Sequence, residues 1–306
     1  MLGSSKPSQG QVIAVLTIGV LSVSTAAVFI RLALAASGTV GVGFSLVLAA
    51  SRLALAALFL APAWRSFRTA SFQQRALYYS IAAGVFLALH FATWISSLSY
   101  TSVAASATLV TTNPVWVALL SWVWFREKPT RLTSLGIGIT LAGSLLIGIA
   151  DAGGVQSASN PLLGNFLALV GSWAVSFYFL LGREAQRHGL GIGSHVALTY
   201  TTAAIVLLPL PFLFNTAYTG YRAEVYLWIL LMAVFPQLIG HTSFNWAVRW
   251  ISPTLVTLTI LAEPVGSSIL AAIIFRENPG MLVILGAVVI LAGVAIAAVG
   301  ARKSSV

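Results

Sequence analysis

The feature that most constrains this chain is that its stretch Thr101–Ala150 is written a second time at Ile251–Gly300. In the first copy Asn113-Pro114-Val115 is followed by Phe125-Arg126-Glu127-Lys128-Pro129, Leu135-Gly136 and Leu141-Ala142-Gly143. In the second, Glu263-Pro264-Val265 is followed by Phe275-Arg276-Glu277-Asn278-Pro279, Leu285-Gly286 and Leu291-Ala292-Gly293. Every pair sits 150 residues apart without a gap, and 14 of the 50 aligned positions are identical. Apolar segments resemble one another by composition alone, but a shared charged Phe-Arg-Glu-x-Pro turn in register does not arise that way. Two structural units are therefore expected, residues 1–150 and 151–306, joined by the Gly/Ser/Asn-rich link Asp151–Pro161.

Composition says where such units live. Of the 306 residues 58% are apolar and only 7% charged, against about 25% charged in a soluble domain. Apolar runs of about 20 residues, the length that crosses a bilayer core as a helix, recur along almost the whole chain. The net charge of +10 comes from basic residues scattered through the connections, which is the pattern of topology-setting charges and not of a nucleic-acid surface. No cysteine is present, so disulfides and thiol chemistry are excluded. The polar start, Met1–Gln11, runs straight into a full-length apolar stretch, and no cleavable signal peptide is expected.

The pattern predicts an all-α membrane protein with ten spans, near 12–34, 43–63, 76–98, 103–125, 132–149, 162–182, 194–214, 225–247, 253–275 and 280–300. Five spans per copy is an odd number, so the two copies must cross in opposite directions, as an inverted repeat. The loop charges agree. Arg65, Arg68, Arg75, Arg126, Lys128, Arg131, Arg183, Arg187, Arg249, Arg302 and Lys303 all thread to the side of Lys6. The other side carries Asp151 and the mixed pairs Arg222/Glu224 and Arg276/Glu277. Lys/Arg-rich loops stay in the cytoplasm, so both termini are expected there.

Pro114, Pro236 and Pro264 fall near the middle of the fourth, eighth and ninth spans, where a proline removes a backbone hydrogen bond and bends a helix. Such defects are tolerated against protein or a wet cavity, and matched ones in inverted copies point to a midplane cavity and to candidate gating breaks. Gly136/Gly143 and Gly286/Gly293, seven residues apart on the fifth and tenth spans, make small-residue faces for close packing, either as a scaffold or as a dimer seam.

Polar groups inside spans are costly and so are the functional candidates. Glu263 lies halfway along the ninth span. It either couples protons, contacts a substrate ammonium group, or serves as a structural carboxylate; the last is favoured, because Arg52 lies at similar depth and needs a counter-charge. His90 and His241 are nearly repeat-equivalent and either bind or shuttle or are satisfied polar contacts. Trp94, on the face of His90, with Trp116, Trp173 and Tyr178, suits a cavity for organic metabolites. Trp64, Trp124, Tyr221, Tyr226 and Trp228 read as interfacial anchors. Asn113, which stands where the second copy has Glu263, and Asn245 complete the candidates. No His/Asp/Glu grouping has metal-ligand spacing, no cofactor is implied, and no nucleotide or catalytic motif appears.

Glu263-Pro264, Phe275-Arg276-Glu277-x-Pro279, Leu285-Gly286 and Leu291-Ala292-Gly293 resemble the second repeat of the EamA-type transporters of the drug/metabolite transporter superfamily. Asn113-Pro114 through Gly143 resembles the first repeat, and Arg52 matches an arginine characteristic of the second helix. The resemblance covers essentially the whole chain. It implies a secondary transporter, commonly an exporter of amino acids or related metabolites from the bacterial inner membrane. It also implies a basket of helices around a central cavity lined by the third, fourth, eighth and ninth spans. His90, Trp94 and the aromatics look closest to the aromatic amino-acid exporter (YddG) branch. The expected partners are a small-molecule substrate and lipid, with the chain a monomer or homodimer. The alternatives are a multidrug or other metabolite transporter, and a channel or non-transporting scaffold.

Overall fold

The computed structural model describes residues 7–39, 41–68, 72–97, 99–101, 106, 109–110, 112–152, 160–276 and 280–302. The chain forms thirteen described α-helices. They are α1 (Gln9–Ser24), α2 (Ala26–Ser37), α3 (Val42–Phe59), α4 (Gln74–Ser97), α5 (Asn113–Phe125), α6 (Arg131–Ala152) and α7 (Pro161–Arg187). They continue with α8 (Ile192–Leu207), α9 (Ala223–Met232), α10 (Thr242–Ala247), α11 (Pro253–Ile260), α12 (Glu263–Phe275) and α13 (Met281–Arg302). No strand occurs among the described residues. The expected link at 151–161, the ninth-loop Glu277-Asn278-Pro279, Lys303, Lys6 and the start of the fourth span lie wholly or largely outside them.

Among the described residues seven helical segments are long and apolar enough to cross a membrane: Gln9–Ser37, Val42–Phe59, Gln74–Ser97, Pro161–Arg187, Ile192–Phe214, Ala223–Ala247 and Pro253–Phe275. Asn113–Phe125, Arg131–Leu146 and Ile284–Gly300 are shorter apolar helices. Starts are set by local chemistry. The Ser8 hydroxyl accepts from the Gln11 amide while the Gln11 side chain accepts from the Ser8 amide, a capping box. The Asn160 and Ser252 side chains cap α7 and α11, each of which has proline at its first position, where the missing N–H costs nothing.

The same rule corrects the reading of two prolines. Pro114 and Pro264 do not bend continuous helices; each sits in the first turn of a new helix, α5 and α12. The preceding helix α11 ends at Ile260, and a two-residue turn separates it from α12. Pro236 differs again, because it is absorbed into a π-helix, Ala233–His241, between α9 and α10. A wider turn relieves the clash of the proline ring with the carbonyl one turn back.

The main core lies among α1, α3, α4, α7, α8 and α10, around Phe91, Tyr178, Phe179, Tyr200 and Phe244. Helices α6 and α13 pack on one another through the glycine faces expected from the repeat. A Cβ at Gly143 would lie 2.8 Å from the Gly286 carbonyl oxygen, and one at Gly293 2.9 Å from that of Gly136. The faces left open as scaffold or dimer seam are thus covered within the chain, backbone against backbone, the close approach small residues permit.

Candidate functional site

A cavity lies where the broken and π-helical segments meet. Arg52 from α3, His90 and Trp94 from α4, Asn113 from α5, His241 and Pro236 from the π-helix, and Glu263 from α12 all line it. The rings of Phe91, Phe179 and Phe244 and aliphatic side chains such as Val23, Val175 and Leu261 complete the wall. At about 80 Å3 the cavity is smaller than the roughly 300–1,000 Å3 of a typical ligand site, so a small organic ligand fits only once the surrounding helices part.

Arg52 dominates the electrostatics. Its side chain is 1% exposed, and its guanidinium lies over the Phe91 ring at 4.4 Å. Nη2 donates to Gln237 Oε1 at 2.9 Å, whereas Nε and Nη1 have no hydrogen-bond partner. Burying a charge costs several kcal/mol unless its donors are met, so this is an expensive, incompletely satisfied group. The expected Arg52–Glu263 contact is not formed, since no ion pair within 4 Å joins them. Both line the same cavity, and Arg52's contact is Gln237 instead. Glu263 is half-buried, and its main-chain carbonyl, at the start of α12, also accepts from the Ser24 hydroxyl at 3.3 Å. Ser267 in turn donates to the Ser24 carbonyl at 3.0 Å.

His90 is 6% exposed and pairs its Nδ1 with the Gly171 carbonyl at 2.9 Å. A carbonyl only accepts, so Nδ1 carries the hydrogen and Nε2 is left as the ring's acceptor. The ring stacks on Trp94 with centroids 5.6 Å apart and planes at 14°. The His241 ring meets Phe91 edge-on at 5.5 Å, and its Nδ1 has no partner. The two nearly repeat-equivalent histidines thus line one cavity.

Four other candidates lie elsewhere. Tyr178 and Asn245 are fully buried behind the wall. There the Asn245 amide nitrogen donates to the Tyr178 hydroxyl and to the His241 carbonyl at 2.7 Å. His195 Nε2 donates to Asn245 Oδ1 at 3.2 Å and its Nδ1 accepts from Ser80 at 2.8 Å, while Gln186 donates to the Asn245 carbonyl at 2.6 Å. This cluster ties α4, α7, α8 and α10 together, with only the Gln186 Oε1 acceptor unmet among the groups named. Trp116 donates from its indole to Thr112 at 3.0 Å and meets Trp173 edge-on at 5.2 Å. Trp173 is 45% exposed, away from the cavity. Gln237 was not anticipated. It is a polar residue one position after a proline inside an apolar span, and the rule that singled out Asn245 applies equally to it. Among the described residues no group of acidic, histidine or cysteine side chains could hold a metal.

A family model described as the EamA-like transporter family matches residues 10–149 and again residues 162–299. No curated protein matches the sequence. A solved crystal structure aligns over 98% of this chain and 100% of its own, at 19% identity and a TM-score of 0.77, a likeness that shows the fold alone.

Proposed function

Because the chain belongs to the EamA-like transporter family, we propose that it is a secondary transporter exporting amino acids, aromatic or neutral, or related small metabolites across the bacterial inner membrane. It is a multi-pass membrane protein of the drug/metabolite class. In this reading ten spans form two inverted halves, 1–150 and 151–306, with both termini in the cytoplasm. Alternating access comes from movement at the breaks before Pro114 and Pro264 and at the π-helix around Pro236, which expose the cavity to each side in turn.

The observation that carries the reading is the cavity itself. Arg52, Glu263 and two histidines surround one space inside an apolar helix bundle, beside a Trp94 ring. Polar groups at such cost mark a substrate path, and the indole and phenyl walls suit an organic cargo over a bare ion. His90, Trp94, Asn113, His241 and Glu263 are the cargo contacts in this scheme. Trp116, Trp173, Tyr178 and Asn245 hold the helices that present them.

The test is amino-acid flux in liposomes containing only this protein, with and without an imposed pH gradient. Flux down a gradient of phenylalanine that is absent from empty liposomes is expected. Uphill flux driven by the pH gradient makes it an antiporter, and flux indifferent to it makes it a facilitator. Absence of flux for every amino acid, with flux of bulky cationic dyes, overturns the amino-acid reading for a multidrug one.

A further inference from the structure

The two ionisable groups of opposite sign in this cavity do not pair with each other. Opposite charges sharing an apolar wall satisfy one another most cheaply by direct contact. Here Arg52 is held aside by Gln237 and the face of Phe91, with Nε and Nη1 unmet. The Glu263 carboxylate has no hydrogen-bond or ion-pair partner among the described residues, although both side chains line the same space. We infer that the cavity is built for a zwitterion: Arg52 takes a cargo carboxylate, Glu263 takes the ammonium group of the same molecule, and Trp94, Phe91 and Phe244 enclose its apolar part. The inference rests on the transport reading above and narrows its substrate to molecules bearing both charges.

The chemistry follows from what each wall lacks. A guanidinium with free donors matches a carboxylate through charge-assisted hydrogen bonds. A carboxylate with free lone pairs matches an ammonium group. A cargo with both charges relieves both walls at once and enters with no net charge. One with a single charge leaves the opposite wall uncompensated, in a setting where unpaired charges are most costly. The Ser24 contact fixes the main chain of Glu263 and leaves its side chain free.

The test is equilibrium binding by calorimetry to the purified full chain in nanodiscs, using L-phenylalanine, phenethylamine and 3-phenylpropionate. Phenylalanine is expected to bind at least tenfold tighter than either singly charged analogue. Equal binding by phenethylamine or by 3-phenylpropionate, or failure of phenylalanine to bind, overturns the inference. Flux is read separately in liposomes. A protein that carries phenethylamine as fast as phenylalanine keeps the transport reading and loses this one.

Because removing Arg52 can unfold the chain, Gln237→Glu is the better probe. It keeps the side-chain shape and places an internal carboxylate on Arg52. Phenylalanine binding should fall about tenfold or more, to the level of phenethylamine, while phenethylamine binds no more weakly than before. Unchanged phenylalanine binding in Gln237→Glu removes Arg52 as the carboxylate site. Glu263→Gln should bring phenylalanine down to the level of 3-phenylpropionate, and undiminished binding there removes Glu263 as the ammonium site.

Discussion

The breaks at Asn113-Pro114 and Glu263-Pro264 are built alike and do different work. Each opens a 13-residue helix with proline in its first turn. Each helix ends on an arginine in the left-handed conformation, Arg126 at φ 60° and Arg276 at φ 55°. Each break is braced by a serine from the other half of the chain. Ser176 donates to the Asn113 carbonyl at 3.4 Å, and Ser24 to the Glu263 carbonyl at 3.3 Å. The side chains then diverge. Asn113 is a neutral amide, 5% exposed, whereas Glu263 is a carboxylate facing Arg52 across the cavity. One turn further on, the first helix carries Trp116 and the second carries Gly266, pressed against Ser24. The lesson is that the duplicated backbone solves one problem twice, how to interrupt a helix inside a membrane. The charge has been placed at one break only.

The largest test of that asymmetry moves the charge. Glu263→Asn should lower phenylalanine flux about a hundredfold, since removing one partner of a desolvated charge interaction costs about 2–5 kcal/mol and tenfold is about 1.4 kcal/mol. Asn113→Ala, at the matching break, should cost only a few-fold. Flux assays in liposomes at matched protein content decide it, and equal losses at the two positions would break the comparison.

Gly266→Ala comes next, and it reads stability in place of transport. A Cβ there collides with the Ser24 side chain, and overpacking a tight contact costs about 1–3 kcal/mol. Trp116→Ala at the equivalent place removes a partly exposed ring and should cost less. Thermal unfolding of both variants in detergent measures the difference; a larger shift for Trp116→Ala would mean that the close contact of α1 with α12 is not what fixes the second break.

Much of this arrangement is legible in the sequence, and its failures share one cause. The repeat, the apolar stretches, and the cluster of Arg52, His90, Trp94, His241 and Glu263 follow from which residues are polar and how deep they lie. Depth, however, does not give direction. In a soluble helix the apolar stripe shows which face is buried, but a membrane helix is apolar all round. On α7 nothing in the pattern separates Trp173, which is 45% exposed, from Tyr178, which is fully buried. Nor does a proline announce whether a helix will bend, widen into a π-turn or stop. Pro236 and Pro264 look alike as letters, and the outcome depends on neighbours that pack against the break, as Ser24 does at Glu263.

The two tryptophan positions sharpen the cavity side of the comparison. Trp94→Ala should cut phenylalanine flux about tenfold, because an aromatic contact carries about 0.5–1.5 kcal/mol beyond its burial, while the yield of folded protein stays close to that of the parent. Trp173→Ala should transport nearly normally. The discriminating readout is KM and maximal rate for both variants in the same liposomes. Loss at Trp173 equal to that at Trp94 would move the cargo path to the outer face of α7.

The smallest effect concerns the braces. Ser24→Ala and Ser176→Ala each remove a hydroxyl bonded to a carbonyl at the start of a broken helix, and a single such bond is worth about 0.5–1.5 kcal/mol. Ser24 also bonds back to the Val20 carbonyl at 2.8 Å, as Ser176 does to that of Ser172 at 2.7 Å, so the two losses should be nearly equal in thermal unfolding. Transport should separate them. Loosening the second break lets the Glu263 carboxylate wander relative to Arg52, so Ser24→Ala should raise KM a few-fold, whereas Ser176→Ala leaves it unchanged. If both variants raise KM alike, the first break positions cargo as much as the second, and the division between a shared backbone and a one-sided charge fails at its finest point.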